Sequence, residues 1–185
     1  FAKGMIVWSH EGGARAILAP LHELYAVPRV RSGLGFPIVD EARVGEARVQ
    51  LFERGAMFSS KVASRSALWG SIYRCYLTHA QLLGLPTSAV PVGSQANPDL
   101  AMQFERGRIY ASPQTGAFEV HGLIHEHYLS ASASAGRLGL PISDEEAVRS
   151  ASGSEIGRVS EFEGGAIYYS VNTGAHELHG PILHT

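Results

Sequence analysis

The sequence predicts an α+β fold. Four repeats of a small antiparallel β-meander, each followed by a short helix and a Leu-Gly-x-Pro turn, form a compact pseudo-symmetric array of ring or propeller-like form. Three observations predict it. Phe-Glu-Arg-Gly stands at 52–55 and 104–107, with the variant Phe-Glu-Gly-Gly at 162–165. Leu-Gly-x-Pro stands at 34–37, 83–86 and 138–141. Successive Phe residues lie 51, 52 and 58 positions apart, the period of a supersecondary repeat.

Segments beginning at Phe1, Phe52, Phe104 and Phe162 align without a gap. Three residues on stand Gly4, Gly55, Gly107 and Gly165, and eight on stand Ser9, Ser60, Ser112 and Ser170. Further along, Ala19, Gly70, Gly122 and Gly180 share a position, as do Leu21, Ile72, Ile124 and Ile182. Tyr25, Tyr76 and Tyr128 follow in three copies. From each Leu of Leu-Gly-x-Pro to the next Phe the distance varies, at 18, 21 and 24 residues. Fixed length marks paired strands, where one inserted residue turns every side chain to the other face. Variable length marks surface loops, here 43–49, 91–100 and 149–157. The chain reads as a single repeat domain, 1–185, with units at 1–51, 52–103, 104–161 and a partial 162–185.

Taking the elements in order, the run around Phe104 alternates, with Ile109 and Ala111 on one face and Tyr110 and Ser112 on the other. The Glu-Arg-Gly between two such runs suits a short hairpin loop with Gly107 in a left-handed conformation. Pro113 and Gly116 mark a second turn, and 117–121 alternates again, giving three strands. The Ile-to-Tyr spacing of four then places two apolar residues on one face of a helix, over 71–82 and 123–136. At its end the Leu packs inward. Gly35, Gly84 and Gly139 permit a backbone that L-residues resist, and Pro37, Pro86 and Pro141 stop the helix.

Composition bounds the function. The 185 residues carry 45% hydrophobic and 17% charged side chains, a globular balance with enough chain for a real core. A net charge of −2 with scattered Lys and Arg gives a nucleic acid no basic face. No apolar run approaches the ~20 residues of a membrane helix. The start at Phe1, with neither Met nor a signal-peptide pattern, reads as a trimmed or mature segment.

No nucleophile elbow, phosphate loop or dinucleotide fingerprint is written in the chain. Cys75 reads as an inert thiol on a packed helix face. His121, His125, His127, His176 and His179 crowd the second half, but His121 and His179 share a repeat position with Trp69 and Leu18, which reads as packing. Neither a metal nor a cofactor is expected. Glu53, Glu105 and Glu163 follow Phe at a strand edge and read as solvated. Asp40, Glu41, Asp144 and Glu145 read as turn or cap residues opening the variable loops.

The chain resembles the LGFP-repeat family, through Leu-Gly-Phe-Pro at 34–37, its two Leu-Gly-Leu-Pro counterparts, Phe-Glu-Arg-Gly, and the runs 109–122 and 167–180. The first copy departs from that pattern at Ala2 and over 12–20, and the second over 64–70 and after Pro86. The resemblance implies a non-catalytic module of secreted or cell-envelope actinobacterial proteins that holds an attached or associated enzyme on wall polysaccharide such as arabinogalactan. Aromatic faces against sugar C–H patches, and planar polar groups against hydroxyls, would supply the grip. Residues of the required types are Trp8, Trp69, Tyr110, Tyr168, Tyr169, His121, His179, Glu105 and Glu163. Tyr110 and Tyr168 share a position with Val7 and Phe58, a packing pattern. Trp8 and Tyr169 replace small residues in sibling copies, which favours exposure for these two. A protein-binding or structural role in the envelope is the alternative, ahead of a wall-polymer hydrolase or esterase.

Overall fold

A computed structural model describes residues 3–63, 65–91, 100–131, 133 and 136–179. The expectations for Phe1, Gly180, Ile182 and most of loop 91–100 lie outside them. Four antiparallel sheets follow one another along the chain. The first is a hairpin of β1 (Gly4–Ser9) and β2 (Gly13–Leu18). The second holds β3 (Ala42–Val44), β4 (Ala47–Phe52), β5 (Gly55–Ser59) and β6 (Ser66–Trp69). The third holds β7 (Leu100–Gln103), β8 (Gly107–Ser112) and β9 (Gly116–His121). The fourth holds β10 (Glu146–Arg149), β11 (Glu155–Phe162), β12 (Gly165–Ser170) and β13 (Gly174–His179). The helices are α1 (Leu21–Tyr25), α2 (Pro28–Leu34), α3 (Gly70–Leu83) and α4 (Gly122–Ser130).

Three of the four helices bridge two sheets, while α2 packs on β5 and β6 and against α1. The first helix packs on β1 and β2 and on β5 and β6, while α3 packs on β5 and β6 and on β8 and β9. The fourth helix joins β8 and β9 to β12 and β13. The hydrophobic core is accordingly three cores, one per junction, built from the same repeat positions. The last strand of one copy gives Ile17, Leu68 or Val120, and its helix gives Leu21 with Tyr25, Ile72 with Tyr76, or Ile124 with Tyr128. The turn gives Leu34, Leu83 or Leu138, and the next copy gives Phe52 with Met57, Phe104 with Ile109, or Phe162 with Ile167. In every junction the helix Tyr lies against the incoming Phe, with ring centroids 5.4, 5.0 and 4.5 Å apart. Such pairs add about 0.5–1.5 kcal/mol beyond their buried area.

Three local expectations are corrected. Loop 43–49 is largely strand and loop 149–157 is strand at both ends: β3 and β4 turn through Gly45 at φ +58°, and β10 pairs with β11 around a longer tip. Two of the meanders therefore have four strands, and the variable length sits in a hairpin tip. The helix expected over 123–136 stops at Ser130, whose hydroxyl donates to the His127 carbonyl at 2.7 Å. Serine competing for the backbone in this way is a poor helix continuer. In the first copy the helical stretch is split in two, because Pro28 opens a second helix at its N-terminus.

The third correction concerns the glycine of Phe-Glu-Arg-Gly. Positive φ falls at Gly35, Gly84 and Gly139 (+77°, +76°, +68°), and not at Gly55, Gly107 or Gly165. These last three are required by close approach. A Cβ on Gly107 would lie 2.6 Å from the Val120 carbonyl oxygen and 2.8 Å from the His121 Cβ. Gly55 and Gly165 press on the Leu68 and Leu178 carbonyls in the same manner.

Candidate functional site

The repeated Glu is exposed, as expected, but its carboxylate is also engaged. Glu53, Glu105 and Glu163 turn back onto the Leu-Gly-x-Pro loop, where their Oε2 atoms accept the backbone N–H of Phe36, Leu85 and Leu140 at 3.1, 2.7 and 2.8 Å. The carboxylates lie over Gly35, Gly84 and Gly139, where any Cβ would collide with them. The backbone completes the clamp: Glu53, Glu105 and Glu163 donate to the Phe36, Leu85 and Leu140 carbonyls at 3.0, 3.1 and 3.0 Å. The Pro of each loop bridges the Phe of each hairpin, at Pro37–Phe52, Pro86–Phe104 and Pro141–Phe162. The Arg has its own task. Arg54 donates to the Ser32 and Gly33 carbonyls at 2.6 and 3.2 Å, and Arg106 to the Leu82 carbonyl at 2.6 Å and that of Gln81. Both thus cap the open C-terminus of the preceding helix. The fourth copy has Gly164 there, α4 has already ended, and a side chain would strike the Arg137 carbonyl. Glu105 and Glu163 are therefore committed to the junction.

The aromatics divide by sheet face. Tyr110 is 4% exposed, edge-on to Tyr128, and its sibling Phe58 is 7% exposed against Tyr76. Trp69 packs over Gly33 of α2, with the Arg29 guanidinium 5.9 Å from its ring centroid. Trp8 is 67% exposed on the first hairpin, beside exposed Ile6 and Leu18. Tyr169 differs from that expectation: it is half-buried at the rim of the third core, because its strand face points towards α4. Tyr168 lies on the opposite face, which α3 and α4 cover in the second and third sheets. In the fourth sheet the described residues leave this face uncovered, since the stretch after β13, where α3 and α4 follow in the other copies, falls at 180–185, outside them. It forms a cleft of about 380 Å³ lined by Tyr168, Tyr169, Val148, Ile156, Ser170, Thr173, His176 and Leu178.

His121, His127 and His179 lie against carboxylates. His121 Nδ1 donates to Glu119 Oε2 at 2.7 Å, Glu145 donates its N–H to Glu119 Oε1 at 3.2 Å, and Arg158 Nε lies 3.3 Å from Glu145 Oε1. The bond to Glu119 raises His121 above the ordinary imidazole range. Burial pushes Glu119 up, but the hydrogen bond and charge of His121 prevail and leave it below the usual carboxylate range. Burial raises Glu145. In the fourth copy Glu177 takes His179 at 2.6 Å and faces His127 at 3.4 Å. His125 is 7% exposed, and burial lowers it to about 4. Asp144 and Glu145 are thus more than loop caps: they fasten the loop after Pro141 to β9, Asp144 Oδ1 accepting the Glu119 N–H at 3.1 Å.

One constellation escaped the sequence reading. His79 Nε2 lies 3.6 Å from Asp144 Oδ2, and Cys75 Sγ lies 3.8 Å from His79 Nδ1. Its signal was a Cys and a His four residues apart on one helix face. The third member comes from a loop 65 positions away from His79, which no local pattern discloses. Burial and the Asp144 and Glu119 charges push the Cys75 thiol up to about 12, so it is no thiolate nucleophile at neutral pH.

Antiparallel sheets joined through bridging helices, with one core and one clamp per junction, define a repeat protein whose units bury each other. The LGFP repeat matches the chain three times, over residues 34–79, 83–136 and 138–185, and the chain belongs to that family. Each match begins at the Leu of Leu-Gly-x-Pro, the residue that enters a junction core. No curated protein matches the chain.

Proposed function

We propose that this chain is a non-catalytic module that binds cell-wall polysaccharide, an arabinogalactan-like glycan, and so anchors a protein or an associated enzyme to the cell envelope outside the membrane. The observation that carries this reading is the division of labour between recurring and non-recurring residues. Phe, Glu, Arg, Gly, Leu and Pro of the repeated motifs are all committed to junctions. The aromatics that face outward, Trp8 and Tyr168, belong to the first and fourth copies, on sheet faces that neighbouring helices cover in the second and third. The fourth-sheet cleft sets Tyr168 beside Ser170, Thr173 and His176, an aromatic face with hydrogen-bonding groups at its edge. That combination suits the C–H face and hydroxyls of a neutral sugar. Closure of the array into a pseudo-symmetric ring belongs to this reading, supported by three junctions of like construction.

A second reading is a protein-interaction module of the envelope: Ile6, at the repeat position where Met57, Ile109 and Ile167 are buried against a preceding helix, is exposed with Trp8 and Leu18, an apolar face that fits a packing partner. Co-sedimentation of the pure chain with purified cell wall, before and after removal of the polysaccharide, separates the two. Retention that disappears with the glycan is the expected result. Retention that survives glycan removal supports the protein partner, and retention on neither material overturns both.

A further inference from the structure

We propose that Cys75, His79 and Asp144 form a binding site for one divalent transition-metal ion, with zinc the best match to the donors. Their ligand atoms all lie within 4.8 Å of one another. Around a tetrahedral zinc, sulfur, nitrogen and oxygen ligands stand roughly 3.3–3.7 Å apart, so contraction by about an ångström brings them into the coordination shell. Thiolate and imidazole are the ligands that zinc prefers, and thiolate with carboxylate balances the two positive charges.

The surroundings are those of a metal site in three further respects. His79 Nδ1 lies 3.0 Å from the Cys75 carbonyl oxygen, which only accepts, so in the neutral ring Nδ1 carries the hydrogen and Nε2 presents its lone pair. Ligating histidines are commonly fixed by a backbone carbonyl in this way. That lone pair faces a carboxylate oxygen at 3.6 Å, an approach of two acceptors that a shared cation makes favourable. Asp144 is oriented from behind by the Glu119 N–H on Oδ1, which leaves Oδ2 directed at His79. The three residues also line a solvent-open cleft of about 340 Å³ with Ser71, Arg74 and Thr78, giving the ion a path in and room for a water as fourth ligand.

The site would act as a bolt between copies. Cys75 and His79 sit on α3, and Asp144 sits in the loop after the third Leu-Gly-x-Pro turn, held against β9. A bound ion would tie the second copy's helix to that loop across the third sheet, and in binding it would displace the thiol proton to solvent.

The test uses the whole chain under reducing conditions, with Co²⁺ as the spectroscopic probe and Zn²⁺ as competitor. One equivalent of Co²⁺ should give a thiolate-to-cobalt absorption band that Zn²⁺ abolishes, and Zn²⁺ should raise the Tm. Cys75→Ala should lose the band, and Asp144→Asn, on an accessible loop, should weaken Zn²⁺ affinity at least tenfold. Absence of the band in the native chain, or a loss of Zn²⁺ affinity below tenfold in either folded variant, would overturn the proposal, since any bound ion would then sit on other histidines.

Discussion

At the scale of single residues, a glycine and a glutamate recur beside each junction core. Gly107 has no positive φ to defend, so its requirement is purely one of space. Gly107→Ala should therefore destabilise by about 1–3 kcal/mol, as overpacking does, because the methyl meets the Val120 carbonyl at 2.6 Å. A thermal melt unchanged to within a degree would show that β8 and β9 part easily. The sequence disclosed that this position must be Gly but assigned the wrong cause, since a repeated glycine records only that a side chain is forbidden. The Glu was harder to read. Its partner is a backbone N–H on a loop 17 to 23 residues earlier, and a backbone group leaves no letter of its own.

At the scale of elements, helix faces and strand alternation were legible because burial imposes its period on side-chain type. Ile72, Tyr76 and Leu83 fall on one stripe of α3 and are all buried. The outer strands β3 and β10 were not legible, being short and with no buried residue, so no apolar alternation marks them. The early stop of α4 has its local cause in Ser130, whose hydroxyl donates to the His127 carbonyl. On that helix His125 provides a pH test. Arg108 faces it as a cation, with Glu119 and His121 nearby, and burial dominates in lowering it to about 4. The unfolded chain, with an imidazole near 6.5, binds more protons between those values, so stability should fall as pH drops from about 6.5 to about 4. His121, raised by Glu119, works in the opposite direction: its contribution is present below about 6.5 and fades as pH rises through its folded value. Melting curves across this range for the native chain and His125→Leu should diverge most at acid pH, the variant losing less. Parallel curves would mean that His125 is not the group titrating.

At the scale of the whole molecule, three equivalent cores imply that no copy is complete alone, because each sheet needs a neighbour's helix or hairpin to cover it. The sequence announced this architecture through its two repeated signatures. It withheld the surface, where copies differ and repetition offers no guide: Tyr169 read as exposed and packs at a core rim, while Tyr168 read as packing and lines the open cleft. The central claim is that recurring residues hold the molecule together and non-recurring ones do the binding. The most direct measurement pairs melting temperature with wall-polysaccharide retention in Glu105→Ala and Tyr168→Ala. The first variant strips the acceptor from the Leu85 N–H, an exposed hydrogen bond, and should lose about 0.5–1.5 kcal/mol, with retention by the folded protein unchanged. The second should melt within a degree or two of the native chain and lose at least tenfold in retention. A Glu105→Ala chain that melts normally but no longer binds, with Tyr168→Ala unaffected in binding, would contradict the account.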